Sequence, residues 1–295
     1  MGIGALLRPR TVAEAVTFAA AGNVRFLAGG TDHFPAEAKA AAWSRPSPDA
    51  LIDLSGVAEL RAIEIGETET RIGAAVRWSE IERSTLPPGY RALQLAARQI
   101  GGIQIQSRGT VGGNLCNASP AADGVPPLLI LDAQVELRSV SGSRRLALSD
   151  FLIGPRRTAL RPGEILTAVA VPRSADGLET GFQKLGSRTH LVISIAMVAI
   201  GLRLHAGRIR AAAIAVGACS PVALRLYELE HELRDLPART EAIELPAPRH
   251  VAALAPIDDV RASALYRREA VLELVRRGLA EIVDGSRPDR KLGAA

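Results

Sequence analysis

The sequence predicts an α+β protein of two domains, and three observations carry that prediction. As far as Arg173, short apolar β segments, some in hairpin pairs, alternate with capped helical segments. Arg173-Ser-Ala-Asp-Gly177 then reads as a linker. Beyond it three strand patterns follow one another before two helical ones, the order of a sheet with helices gathered on it rather than of repeated βαβ units. The expected boundaries are 1–173, itself split near 50–60, then 178–285 and a tail, 286–295.

Thr11-Val-Ala-Glu14 has the form of a capping box and Gly22 supplies a stop, so a helix fills the interval. Val24 to Ala28 is an apolar strand that ends abruptly at Gly29-Gly30-Thr31-Asp32, and Ala50 to Leu54 is a second. Leu60 to Ile65 and Thr70 to Ala74 flank Gly66-Glu67-Thr68-Glu69 as a hairpin. Helical patterns over 78–100 are broken at Pro87-Pro88-Gly89. Gly101 to Pro127 has little regular periodicity and is rich in Gly, Asn and Ser, and an irregular stretch of that length implies a task. Leu128 to Ser139 and Arg144 to Leu148 are expected as a hairpin about Ser141-Gly142, and Ile165 to Val171 as one more strand, closed by Pro172. Strands near 180–186, 193–204 and 208–218 lead to helices Val222 to Leu236 and Ser263 to Asp284. The last helix is expected to bury Leu272, Val275, Leu279 and Ile282 and to turn Arg267, Arg268, Arg276 and Arg277 to solvent or to a partner.

The chain has 295 residues, 47% of them hydrophobic and 23% charged, which supports a real core and excludes a disordered tail. Its two cysteines, Cys116 and Cys219, exclude a disulfide framework and a Cys-rich zinc module. They also exclude an iron–sulfur cluster held by this chain alone, which takes about four cysteine ligands. Both are read as small buried fillers. A net charge of +5 without a dense stripe argues against nucleic acid, and the basic group Arg287 to Lys291 reads as a solvated tail. Met1 to Arg10 has no apolar stretch bounded by a cleavage site. The longest apolar run, Val192 to Leu202, is shorter than the ~20 residues of a membrane span. A cytoplasmic protein without membrane insertion is expected. His190, His205, His231 and His250 are scattered, so no metal site is expected, and Trp43, Trp78 and Tyr227 read as packing groups.

Two glycine clusters stand out, Leu27-Ala-Gly-Gly-Thr-Asp32 and Gly109-Thr-Val-Gly-Gly-Asn114. Without a Cβ, successive backbone amides can converge on one anion, so each suits a phosphate and the pair suits a pyrophosphate. Neither has the spacing of a P-loop or of a dinucleotide fingerprint, and each alone could be a plain turn.

The stretch Arg108-Gly-Thr-Val-Gly-Gly-Asn-Leu-Cys-Asn-Ala-Ser-Pro-Ala-Ala-Asp123-Gly-Val-Pro-Pro127 resembles the signature of the flavoprotein subunit of molybdenum hydroxylases, the xanthine dehydrogenase and carbon monoxide dehydrogenase family. Ala28-Gly-Gly-Thr-Asp32 resembles that family's other flavin loop. Further matches include Ile52-Asp-Leu-Ser-Gly, Lys184-Leu-Gly-Ser-Arg188 followed by Ile193-Ser194, and Gly217-Ala-Cys-Ser-Pro-Val-Ala-Leu-Arg225, and the resemblance spans residues 5–283.

The resemblance implies a two-part FAD-binding domain of the vanillyl-alcohol-oxidase type, followed by a small domain with a three-stranded antiparallel sheet and helices. It implies noncovalent FAD, its diphosphate wrapped by Leu27, Ala28, Gly29, Gly30, Thr31, Asp32 and His33. Thr110, Gly112, Gly113 and Asn114 would complete the grip. Asp123 would hold a cofactor hydroxyl, Leu166 would pack near the isoalloxazine, and Lys184 would approach the flavin's N1–C2=O edge. Asp123 could instead cap the turn at Pro126, and Lys184 could be an ordinary exposed strand lysine. Where the family has Arg-Asn this chain has Gln106-Ser107, and His33 replaces a usual aliphatic residue. His33 is read as a satisfied loop histidine or as a group that tunes FAD affinity with pH.

The implied partners are a large molybdenum-pterin subunit and a small subunit with [2Fe–2S] clusters, in a dimer of heterotrimers. FAD would pass electrons to NAD+, a quinone or dioxygen. A xanthine dehydrogenase-like complex is the first expectation, with carbon monoxide, aldehyde and N-heterocycle dehydrogenases as alternatives. A self-sufficient flavin oxidase and a flavin-free interaction module remain the readings from other classes.

Overall fold

A computed structural model describes residues 5–36, 50–188 and 192–285. Trp43, His190 and the tail from 286 lie outside the described residues. The chain forms two compact units, Met1–Ile81 with Gly102–Ala118 and Ala133–Arg173, and Glu82–Gly101 with Ser119–Asp132 and Ser174–Ala295.

The first unit opens with β1 (Ala5–Leu7), β2 (Val24–Leu27) and β3 (Ala50–Asp53), a parallel sheet in the order β1-β3-β2. The helix Val12–Ala19 joins β1 to β2, as a parallel pairing requires. Thr11 Oγ1 accepts from the Glu14 amide at 3.1 Å, and the Glu14 carboxylate reaches back to the Arg10 amide at 2.8 Å. The helix buries Val12, Ala15, Val16 and Ala19 against Ile52, Leu54, Val57 and Leu60. Truncating a side chain such as Ile52 there costs about 2–5 kcal/mol.

A second sheet is antiparallel. Its strands are β4 (Ile63–Ile65), β5 (Glu69–Gly73), β6 (Gln134–Ser139) and β7 (Gly142–Ala147), and a ribbon β8 (Leu152–Gly154) with β9 (Arg157–Thr158) precedes its last strand, β10 (Ile165–Pro172). The order β4-β5-β10-β6-β7 places β10 in the middle. Its run Ile-Leu-Thr-Ala-Val-Ala-Val is buried at every position, which is why it reads as continuous rather than alternating apolar sequence.

In the second unit β11 (Glu179–Leu185), β12 (Ala196–His205), β13 (Arg208–Gly217) and β14 (Leu224–Arg225) form an antiparallel sheet in that order. The β12–β13 turn uses Ala206 and Gly207 at φ 49° and 70°, the left-handed pair of a tight hairpin. The helix Ala264–Gly285 packs Val271, Val275, Leu279 and Ile282 on Val198, Ile200 and Leu202 of β12.

Several expectations are corrected. The sheet of the second unit has four strands, not three, because Leu224–Arg225 pairs with β13 and the helix expected over 222–236 is confined to Tyr227–Leu233. Residues 101–127 are not irregular throughout; helices occupy Ile103–Gln106, Val111–Asn117 and Val125–Ile130. The last takes the start of the segment expected as strand from Leu128, since Pro126 and Pro127 fit a helical first turn. Arg267 is buried, not solvated: it donates to the carbonyls of Ile195 (2.5 Å) and Ala218 (3.2 Å) and pairs with Asp259 at 2.8 Å. Arg268 and Arg276 donate to the carbonyls of Leu254 and Pro246, leaving Arg277 on the solvated face. Tyr227 is exposed, with the Arg225 guanidinium 5.2 Å from its ring centre, whereas Trp78 is buried as a packing group should be. Cys116 lies on the exposed side of its helix, opposite buried Val111, Gly112 and Leu115. Cys219 is buried as expected, its thiol pushed up to about 12 by desolvation.

Candidate functional site

The two glycine clusters meet inside the first unit. β2 ends at Leu27, and Gly29 crosses the second loop so closely that a Cβ would overlap the Arg108 carbonyl oxygen. Only glycine fits there. Gly30, at φ 73°, then turns the chain left-handed, so that the Phe34 amide donates to its carbonyl at 3.2 Å. None of the amides from Gly29 to His33 donates to another group among the described residues. Asp32 lies 3.9 Å from Arg156, and the His33 ring stands edge-on to Phe34 at 5.3 Å.

The second loop is built the opposite way. Val111 and Gly112 donate to the carbonyls of Val76 and Ala74 at 2.9 and 2.8 Å. Gly113 donates to Thr110 Oγ1 at 3.0 Å, and Asn114 to the Thr110 carbonyl at 3.0 Å. Of the residues expected to complete a phosphate grip, Gly112, Gly113 and Asn114 thus have their amides engaged within the chain. What this loop offers is side chains: the Thr110 hydroxyl and the Asn114 amide, whose Oδ1 is buried without a hydrogen-bond partner. Ser107, where the resemblance departs, anchors the loop by donating to the Gln104 carbonyl at 3.0 Å.

A cleft of about 230 Å3 runs between the loops, lined by Leu27, Ala28, Gly29 and Thr110 and reached by Arg61, Arg77 and Arg108. Those arginines carry no glycine-type signal, and only Arg108 belongs to a motif that the sequence singles out. Leu166 is buried in β10 opposite Leu137.

Asp123 and Lys184 belong to the second unit, where they form a buried ion pair of 2.8 Å. Lys184 Nζ also donates to the Gln99 carbonyl at 2.9 Å, and Ser194 Oγ donates to Asp123 Oδ1 at 2.5 Å. Both alternatives fail here. Lys184 is not an exposed strand lysine, its side chain being 5% accessible, and both Asp123 oxygens are taken by groups other than the turn at Pro126. Burial pushes the Asp123 carboxyl up, opposed by the Lys184 charge and the two hydrogen bonds. Ser194 was visible in the sequence as part of a motif, but nothing in its spacing marked it as a partner of Asp123.

Glu228, Glu232 and His250 also cluster, with ligand-type atoms within 4.8 Å of one another. His250 Nδ1 accepts from the Ala247 amide at 2.9 Å, which leaves the ring proton on Nε2, facing Glu232 at 3.3 Å. Arg249 pairs with both carboxylates, at 3.8 Å from Glu228 and 2.7 Å from Glu232, so each already has a cation beside it.

Residues 2–174 match the family described as the FAD binding domain in molybdopterin dehydrogenase. The chain belongs to this family. Residues 182–282 of this flavoprotein subunit match the CO dehydrogenase flavoprotein C-terminal domain. It is 34% identical over 247 residues to the nicotinate dehydrogenase FAD-subunit of Eubacterium barkeri, covering 82% of this chain and 83% of that one. It is 30% identical to the glyceraldehyde dehydrogenase medium chain of Sulfolobus acidocaldarius, over 94% of this chain and 97% of that one. The reconstituted CO dehydrogenase from Oligotropha carboxidovorans has a chain of the same fold, with a TM-score of 0.87 at 27% identity over 96% of this chain and 98% of that one. The chain is a subunit of an FAD-dependent oxidoreductase of the molybdopterin-containing class. No helix among the described residues is long and apolar enough to cross a membrane.

Proposed function

We propose that this flavoprotein subunit holds FAD noncovalently at the two glycine loops and relays electrons from the iron–sulfur clusters of a small partner subunit to an external acceptor. The observation that carries this reading is the pair of loops: five amides in a row, Gly29 to His33, have no partner among the described residues, and the loop's Leu27, Ala28 and Gly29 line a cleft together with Thr110. The residues fit the cofactor. The overlap at Gly29 leaves no side chain in the way, and the orphaned Oδ1 of Asn114 is an acceptor that a cofactor hydroxyl would satisfy.

When bound, FAD supplies a redox store that is filled by single electrons and emptied in pairs. The chain's own residues do the holding. Leu27 to His33 wrap the diphosphate, with Thr110 and Asn114 contributing side chains while Gly112 and Gly113 keep the loop closely packed. Asp123 is held by Ser194 and Lys184 as an acceptor for a cofactor hydroxyl. Lys184 uses two of its three N–H donors on Asp123 and Gln99, and the third would be the one left for the flavin ring. Leu166 contributes apolar packing beside it. Lys184→Met that left the flavin's reduction potential unchanged would remove that role.

The domain division follows the same logic, 1–173 carrying the loops and 178–285 carrying Lys184. The partners are a large molybdenum-pterin subunit and the [2Fe–2S] subunit, as a dimer of heterotrimers, with NAD+, a quinone or dioxygen as acceptor. Substrate oxidation belongs to the large subunit. An N-heterocycle of the xanthine type is the substrate class we favour, since nicotinate and xanthine dehydrogenase subunits are among the relatives. A cytoplasmic complex is the matching location. Purification of the chain with its partners tests the reading: the expected product is a yellow complex with one FAD per copy of this chain. Colourless protein that takes up no added FAD would end it.

A further inference from the structure

The cleft between the loops carries more positive charge than its backbone amides supply. Arg77 is brought there by the main chain: it pairs antiparallel with Thr110, flanked by hydrogen bonds from Trp78 to the Gly109 carbonyl at 3.1 Å and from Val111 to the Val76 carbonyl at 2.9 Å. Its own amide donates to Glu80 at 2.8 Å, but its guanidinium has no carboxylate partner among the described residues. The Arg108 guanidinium has none either. Arg61 is tied to Glu80 at 3.3 Å. The facing carboxylate, Asp53, is partly satisfied by the Ser55 amide at 3.0 Å and lies 3.8 Å from Arg8. Three arginines therefore line the cleft, with Asp53 the one carboxylate among its lining residues. Like charges gathered around an open amide loop repel one another until an anion joins them, and a diphosphate is the anion that both planar guanidinium forks and converging N–H groups suit.

We propose that Arg77 and Arg108, with Arg61 in support, neutralise the diphosphate of the cofactor's ADP half, so that the cleft recognises an organic diphosphate by charge as well as by loop shape. The inference rests on the reading of these loops as the FAD site and names the side chains that complete it. It makes ADP alone a ligand, and it makes binding weaken with added salt.

The test uses the full chain freed of cofactor, titrated calorimetrically with FAD, ADP and adenosine at low and high salt. The wild-type chain should bind FAD and ADP, and ADP at least about tenfold more tightly than adenosine. Arg77→Gln and Arg108→Gln should each weaken ADP and FAD about tenfold and flatten the salt dependence, with adenosine unchanged and with Arg77→Lys recovering part of the loss. Both arginines reach solvent, and a melting curve that matches the wild type confirms that each variant folds. Wild-type binding of FAD, with variants that keep the same affinity and salt slope, would overturn the arginine assignment and leave the FAD reading standing. Equal affinity for ADP and adenosine would do the same. A wild-type chain that takes neither FAD nor ADP would overturn both.

Discussion

The two glycine loops look alike in sequence and are used in opposite ways. In the first, the amides of Gly29 to His33 have no partner among the described residues, while in the second Val111 to Asn114 satisfy every amide inside the chain. The reason is the neighbour each loop has. The second loop lies against residues 74–78, where the Val76 and Ala74 carbonyls take two of its donors while Thr110 takes the other two, whereas the first loop crosses the second with Gly29 against the Arg108 carbonyl. A Gly-Gly pair therefore marks a close backbone approach in both places, but only one of the two is a donor array. The other is a wall that presents side chains.

The largest test of that difference is at Gly29. Valine there collides with backbone, which has nowhere to move, and should cost about 3 kcal/mol and roughly 100-fold in FAD affinity. Titration of Gly29→Val with FAD and a thermal melt separate the two effects, and wild-type affinity would break the comparison. Asn114→Ala comes next. It removes an acceptor that is unsatisfied without cofactor, so FAD affinity should fall about tenfold while the cofactor-free chain melts no earlier than wild type. Thr110→Val removes the side-chain cap on Gly113 and should cost about 1 kcal/mol of stability, readable in denaturant unfolding of the cofactor-free chain.

The smallest effect concerns protons, and it separates the two compact units. Glu164, held by Arg144 at 2.7 Å, has its carboxyl below the ordinary range. It stabilises the fold above the carboxylate pKa of the unfolded chain, and that contribution disappears as pH falls through the lower folded value. Asp123 has the opposite sign. Its folded carboxyl is raised by burial, so the fold binds the proton more tightly and loses that advantage as pH rises from the unfolded value through the folded one. Glu164→Gln should flatten the acid limb of a stability–pH curve, and Asp123→Asn should remove a contribution of the reverse slope.

Much of the scaffold was legible. Thr11 and Glu14 announced their helix, the hairpin turn at Gly66 closes with its amide on the Glu69 carbonyl, and the continuous apolar run of β10 gave its central place in the sheet. The glycine loops and the Asp123–Lys184 pair were legible as residues, but not in how they are wired. Whether an amide is open depends on which distant carbonyl lies opposite, and no spacing within 109–114 encodes the pairing with 74–78. The same limit hid Ser194 behind Asp123 and Arg267 beneath the loops it clasps, since each is defined by partners tens of residues away. The helix Val125–Ile130 was missed for a local reason: six apolar residues buried on all sides show neither period.

Hydrogen–deuterium exchange of the full chain with and without FAD tests the central claim most directly. The amides of Gly29 to His33 should exchange fast in the cofactor-free chain and become protected on FAD binding, while those of Val111 to Asn114 should be protected already and change little. Protection gained at Val111 to Asn114, with Gly29 to His33 unchanged, would contradict it.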